Sequence, residues 1–368
     1  MDRAEKIQPK IVSLFSGCGG LDLGFHLEGY ETVWANDFSE EACDSFRKKF
    51  GNVIIHGDIT KIDPHTDESI PGCDLILGGF PCQDFSIIWK RPGINGERGG
   101  LYRNFLEFVK AKKPKAFVAE NVKGLLTANK HKAIETIIKD FEAIAPGYVV
   151  KPHLYNFAEY GVPQYRERVL IVGIGIDTGF DFKHPLPTHG HGEGRLPYVT
   201  AGDAIKDALD VEHNNEKIGC AERTIAMIGA IPEGGNYTDI PKDFKYQVKG
   251  MISHVYRRIH RDEPAKTIIA AGGGGTWGYH YPEPRPLTNR ERARLQSFPD
   301  CFEFVGSVTE VRRQIGNAVP PEGVRLLARR LLPLFNGDYD KVDLEKELVK
   351  LKKMTVKERL AHVAKEME

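Results

Sequence analysis

Between residues 11 and about 175, short β-branched runs alternate with stretches whose apolar residues recur every three to four positions. A period of two exchanged with a period of 3.6 in this way predicts an α/β fold, doubly wound around a mostly parallel sheet. Strands are expected at 11–15, 32–36, 53–56, 74–78, 116–120, 148–156 and 169–173, with helices at 21–28, 40–50, 101–112 and 132–144. From about residue 182 the pattern breaks. Proline, glycine and histidine become dense, and 190–194 and 272–275 read as loops. Alternation returns at Thr288-Asn289-Arg290-Glu291, whose capping-box spacing opens a helix through Gln296, and a last core helix is predicted over 321–335 with proline in its first turn. The expected organisation is a catalytic domain at 1–181 that resumes at 285–335, a smaller insertion at 182–284, and a helical tail at 336–368. In the tail Leu344, Leu348 and Leu351 share a helical face and Thr355-Val356-Lys357-Glu358 repeats the capping-box spacing. Charged helices packed on the parent domain are expected there, in preference to an oligomerisation element, and the repeat is too short for a coiled coil.

Composition narrows the function. The 368 residues hold 51 Lys plus Arg and 51 Asp plus Glu, so a polyanion must be met by local clusters of basic residues. Six cysteines without C-x-x-C spacing argue against a zinc module or a disulfide framework, and no metal is expected. His184, His189 and His191 stand in a loop-rich stretch without ligand spacing and read as structural. No apolar run reaches the ~18 residues of a membrane span, and residues 1–6 lack a signal-peptide core; a cytoplasmic protein is expected.

Candidate chemistry collects at the ends of the predicted strands, where open α/β sheets bind ligands. Phe15-Ser16-Gly17-Cys18-Gly19-Gly20 links the first strand to the first helix, and Asp37 closes the second strand about twenty residues on. Asp22 occupies the place of the third glycine of a dinucleotide fingerprint, which weakens the case for pyrophosphate. A structural glycine turn or an adenosine-containing cofactor such as S-adenosylmethionine both suit the pair. Gly78-Gly79-Phe80-Pro81-Cys82-Gln83 places a cysteine just past the fourth strand, either as a buried thiol or as a nucleophile activated by nearby positive charge. Glu120-Asn121-Val122 closes the fifth strand, and Gln164-Tyr165-Arg166-Glu167-Arg168 brings two guanidinium groups to the start of another. Satisfied strand-end residues and a proton-holding carboxylate with its arginines read alike at this level.

Taken in order, these segments resemble the C5-cytosine DNA methyltransferase family, of the bacterial or phage modification type. The resemblance also rests on Gly57-Asp58-Ile59, on Arg285-Pro286-Leu287-Thr288 through Arg294-Leu295-Gln296, and on Gln314-Ile315-Gly316-Asn317-Ala318-Val319-Pro320. It spans nearly the whole chain to about residue 335. The resemblance implies an S-adenosylmethionine-dependent, Rossmann-like methyltransferase that flips a cytosine out of duplex DNA. The Cys82 thiolate would add to C6, C5 would take the methyl group, Glu120 would contact N3 and the amino group, and Arg168, with Arg166 beside it, would bind O2. Phe15, Ser16, Gly17, Cys18, Gly19, Gly20, Asp37, Phe38, Asp58, Ile59, Pro81, Asn317 and Ala318 would line the cofactor site. Asp37 stands where many members have glutamate.

By the same resemblance the segment after Cys82 is a mobile DNA-closing loop, with Ser86, Ile88, Trp89, Lys90, Arg91 and Arg98 facing DNA. The insertion would be the target-recognition region, where Arg257, Arg258, Arg261 and Tyr279 are the candidate contacts. Double-stranded DNA is the expected partner of a monomeric enzyme, with a separately acting restriction endonuclease as a plausible companion. Two rivals remain. A tRNA-modifying branch of the family usually carries Pro-Pro-Cys where this chain has Phe80-Pro81-Cys82, and a silent DNA-binding repressor would not need Cys82, Glu120 and Arg168 together.

Overall fold

The structure is a computed structural model that describes residues 8–81, 100–217, 219–247, 256–270 and 278–367. Seven strands form one sheet: β1 (Lys10–Leu14), β2 (Glu31–Asp37), β3 (Ile54–His56), β4 (Leu75–Gly78), β5 (Ala116–Val122), β6 (Tyr148–Asn156) and β8 (Glu167–Gly175), in the spatial order β3-β2-β1-β4-β5-β8-β6. Strands β1 to β5 pair in parallel, whereas β8 runs antiparallel to both β5 and β6. The predicted mostly parallel doubly wound sheet is thus present.

Neighbouring residues of each strand serve opposite faces, as a strand period of two requires. Ile11, Leu75, Leu77, Ala116 and Val118 enter one core cluster, and Val12, Ile76, Phe117 and Ala119 the other. The first face is covered by α1 (Gly20–His26) and by α9 (Pro321–Asn336), which supplies Val324, Leu327 and Leu331. The second is covered by α3 (Leu101–Lys112), with Phe105, Phe108 and Val109, and by α4 (Lys132–Glu142), with Ile134, Ile137 and Phe141. Helix α2 (Glu40–Phe50) flanks β2 and β3.

The later chain is more elaborate than its sequence suggests. Helices α5 (Ala201–Ile205) and α6 (Glu222–Ala230) stand among loops, and a short strand β9 (Ala265–Lys266) pairs with β7 (Gln164–Tyr165). Met227, Ile228, Ile231, Ile240 and Tyr279 make a small core of their own. Helix α7 (Asn289–Leu295) begins with the capping box at Thr288 and Glu291. Helix α8 (Val308–Asn317) was not anticipated, although Ser307 caps it at the backbone N–H of Glu310.

In the tail, α10 (Leu344–Lys352) and α11 (Val356–Lys365) fold back on the domain, the second through the capping box at Thr355 and Glu358. Leu344, Leu348 and Leu351 enter the first core cluster and Val356 the second. Arg359 reaches Glu142 at 2.5 Å, with both side chains buried. Lys151 on β6, buried as well, bonds Glu366 at 2.8 Å. Among the described residues no helix is long and apolar enough to cross a membrane.

Candidate active site at the sheet edge

The parallel strands deliver their last residues to one edge, and the reversed strand delivers its first residues to the same edge. Antiparallel β8 pairs Arg168 with Val122 and Leu170 with Glu120. Its opening arginine, Arg168, therefore meets the closing carboxylate of β5. Arg168 Nε lies 2.8 Å from Glu120 Oε1, and both side chains are mostly buried. Burial raises the Glu120 pKa, opposed first by the Arg168 charge and then by Arg166. Burial thus favours the protonated carboxyl and the two guanidinium groups favour the ionised one. Its backing is tight, since a Cβ on Gly79 would lie 2.9 Å from Glu120 Oε2. A side chain there would push the Glu120 carboxylate aside.

Arg166 is fully buried and donates to the carbonyls of Ile268 at 3.0 Å and Gly316 at 2.9 Å. Its Nε has no partner among the described residues. Burial, reinforced by Arg168, pushes its pKa down to about 9. Arg166 thus joins β8, the exit of the insertion and the end of α8. Gln164 acts alongside it: its amide oxygen accepts from Ile268 N at 2.7 Å, and its nitrogen donates to Leu295 O and Gln296 Oε1. At Gly316 a Cβ would approach Ala270 N to 2.3 Å, so α8 can lie against the insertion only with glycine there.

These groups border a cleft of about 780 Å³ that continues to β1 and β2. Phe15, Ser16, Gly17, Cys18, Gly20, Asp37, Phe38, Asp58, Ile59, Pro81, Asn317 and Ala318 all line it, together with Glu120, Arg166 and Arg168. Phe15 holds φ of 55°, a left-handed value uncommon for a side chain of its size, so that the chain turns sharply off β1. Asp37 accepts from Gly17 N at 2.8 Å and Ser39 N at 2.9 Å. Burial raises its pKa, and those two donors oppose the rise. Phe38 presents a ring that is 76% exposed, suited to stacking on a planar group. Asp58 caps the turn at Ile59–Lys61, and the Thr60 backbone and hydroxyl hold its pKa low. Gly19 sits one residue off the lining, at the cap of α1. Cys18 is buried, and burial followed by Asp37 raises its thiol to about 12. A carboxylate at the end of β2 for ribose hydroxyls and an exposed ring for adenine fit S-adenosylmethionine.

The structure adds the partners of Asp22, and Arg313, to the sequence reading. Asp22 is wholly buried and accepts from Ser13 and Thr32 hydroxyls at 3.0 Å each, which ties α1 to β1 and β2. Arg313 also borders the cleft, with Nη2 3.4 Å from Ser39 Oγ.

Other candidates are dispersed. Cys82, Ser86, Ile88, Trp89, Lys90, Arg91 and Arg98 lie outside the described residues. In the insertion, Arg257 donates to Gly234 O at 3.4 Å. Arg258 donates to the carbonyls of Ile231, His280 and Pro282, so its guanidinium knits the insertion together. Arg261 forms a bidentate pair with Glu233 and lies over the Tyr281 ring. Tyr279 is fully buried in the insertion core, so its ring packs there and presents no surface to a groove. His184 is buried between Tyr155 Oη at 2.7 Å and the Lys151 carbonyl at 3.0 Å.

Known proteins resemble this chain in sequence and in fold. The profile of the C-5 cytosine-specific DNA methylase family matches residues 9–332. The Type II methyltransferase M.NgoFVII of Neisseria gonorrhoeae is 67% identical over 358 residues, covering 97% of this chain and 95% of the relative. M.BbvI of Brevibacillus brevis, also a Type II methyltransferase, is 41% identical over 88% of this chain and 90% of its own. Among solved structures, an Escherichia coli prophage protein described as a DNA modification methyltransferase shares the fold at a TM-score of 0.67, with 21% identity and coverage of 89% and 100%. The Schizosaccharomyces pombe Dnmt2 methyltransferase aligns at a TM-score of 0.57 and 16% identity, over 89% of this chain and 99% of its own. The chain belongs to the C-5 cytosine-specific DNA methylase family, and is an S-adenosylmethionine-dependent DNA (cytosine-5)-methyltransferase.

Proposed function

We propose that this chain methylates C5 of one cytosine within a short duplex sequence, with Cys82 as nucleophile and Glu120 and Arg168 as the groups that hold the flipped base. The observation that carries the reading is the Glu120–Arg168 pair, 2.8 Å apart, at one end of the cleft whose other end holds Asp37. Arg168 keeps Glu120 oriented, and burial keeps its carboxyl able to hold a proton at N3 of the base. The guanidinium faces the O2 carbonyl, where negative charge gathers when a thiolate adds to C6. Phe15, Asp37, Phe38, Asp58, Ile59 and Asn317 orient the cofactor, which supplies an electrophilic methyl group when bound. Arg166 is a positioning residue, since its bonds run to the Ile268 and Gly316 carbonyls. Arg257 and Arg261 are the insertion's candidate duplex contacts, each already tied within it, to Gly234 O and to Glu233. Cytoplasmic action as a monomer, beside a separately encoded endonuclease, suits relatives named as Type II methyltransferases.

The test is to incubate the protein with labelled S-adenosylmethionine and unmethylated genomic DNA, then map modified cytosines at base resolution. One short motif should be methylated. Cys82→Ser should abolish turnover, and Glu120→Gln should lower kcat by about 10²–10³, the scale for removing one preorganised charge-stabilising group. Label entering tRNA, or sequence-selective DNA binding without methyl transfer, would overturn the assignment. Full turnover by Glu120→Gln would remove Glu120 from the base site.

A further inference from the structure

Past Val122 the chain runs Lys123-Gly124-Leu125-Leu126-Thr127-Ala128-Asn129-Lys130-His131-Lys132, with three lysines, one histidine and no acidic residue in a chain whose charges otherwise balance. Leu125 and Leu126 are buried in the core beneath it, so the loop is anchored from below. Lys123, Lys130, His131 and Lys132 are exposed above. Asn129, Lys130 and His131 hold φ of 48°, 55° and 72° in succession, a left-handed run that side chains with a Cβ avoid. His131 Nδ1, 2.5 Å from the Leu126 carbonyl, closes that turn. Unfavourable backbone kept in a surface loop that leaves the cleft at Val122 points to use. Lys123 is already neutralised by Glu167, at 2.8 and 2.9 Å. Among the described residues neither Lys130 nor Lys132 has an ion-pair partner.

We propose that this loop is a DNA-backbone contact surface, in which Lys130 and Lys132 neutralise phosphates flanking the flipped nucleotide. The inference rests on the placing of the target base at Glu120. The loop leaves the sheet three residues after Glu120, and Val122 itself borders the cleft. A base that enters the cleft draws its own strand to this rim. That strand carries a phosphate about every 3.4 Å of helix axis, so cations on the loop that continues from Val122 meet phosphates before they meet base edges. Contacts of this kind set position and orientation and read no sequence.

The experiment is a salt titration of binding to a duplex that carries the mapped target, for the wild type, K130A/K132A and K130R/K132R. Each lost phosphate contact should reduce the slope of log affinity against log salt by about 0.9. Two lost contacts should make the wild type weaken about twelvefold more than K130A/K132A between 50 and 200 mM salt. The arginine pair should restore the slope, because it keeps charge and changes shape. Thermal unfolding establishes that K130A/K132A is folded. An unchanged slope in a folded variant would overturn the proposal, with or without weaker binding. So would an altered methylation motif, which would make the lysines base readers. A changed slope beside full activity of Glu120→Gln would refute the base placement and leave the loop contact standing.

Discussion

Replacing Arg359 by alanine should loosen the tail in a pH-dependent way. Arg359 and Glu142 are 3% and 4% exposed, and the guanidinium also donates to the Val150 carbonyl at 3.2 Å and the Leu351 carbonyl at 2.5 Å. Truncation strips a buried carboxylate of its counter-charge and two carbonyls of a donor. Breaking a buried pair from one side costs about 3–5 kcal/mol, and the carbonyls add little if water follows the cavity. An expected loss of about 4 kcal/mol is a large part of the 5–15 kcal/mol typical of whole domains. Detachment of α10 and α11 alone would relieve it, so limited proteolysis should cut the tail before the sheet unfolds. The pH dependence follows from Glu142, whose pKa burial raises and Arg359 restrains. Without Arg359 the folded-state pKa rises further above its unfolded value. The deficit is then greatest above that pKa and shrinks as pH falls through it and the carboxyl takes a proton. Urea unfolding at pH 8 and pH 5, with Glu142→Gln/Arg359→Met as a neutral replacement, measures both effects. Equal losses at the two pH values, a loss below about 1 kcal/mol, or a double variant weaker than the single would refute the reasoning.

Two further outcomes follow from the cleft and its support. Asp37→Ala should weaken S-adenosylmethionine binding at least tenfold, about 1.4 kcal/mol, because it removes the acceptor that holds Gly17 and Ser39; calorimetry without DNA reads this, and an unchanged Kd would refute it. Burial raises Asp22 to about 6 from an ordinary 3.8, so the ionised form burdens the folded state and stability should fall as pH rises through that window. Asp22→Asn should flatten that part of the stability profile, and an unaltered slope between those values would refute the assignment.

The sheet was legible because its strands are buried on both faces and read as continuous β-branched runs. Asp37 and Glu120 stood out as candidates because they close strands, whereas Asn317 and Ala318, at the end of α8, came only from the family resemblance. Helix α8 was missed because its buried face includes Arg312 and Gln314, which mask the apolar spacing of Val308, Val311 and Ile315. The signal that marks it, Ser307 three residues before Glu310, is the same one that marks Thr288. Asp22 could not be interpreted, since its partners Ser13 and Thr32 come from two different strands. Arg258 illustrates the limit of composition: a cationic cluster looks like a nucleic-acid surface until the carbonyls that face it, more than twenty residues away in sequence, are known.

The wall formed by Gly316 and Asn317 faces Asp37 across nearly the whole length of the chain. During synthesis, a ribosome that has released the first 181 residues has made the carboxylates of the cleft with Arg166 and Arg168, but neither Arg313 nor the rest of its far side. On the proposed cofactor site, methyl-donor affinity arrives late, after the insertion has emerged and α8 has settled against Ala270. Prematurely terminated chains would be inert toward the cofactor, so a cell would not carry half-built enzymes that methylate its genome without their recognition region.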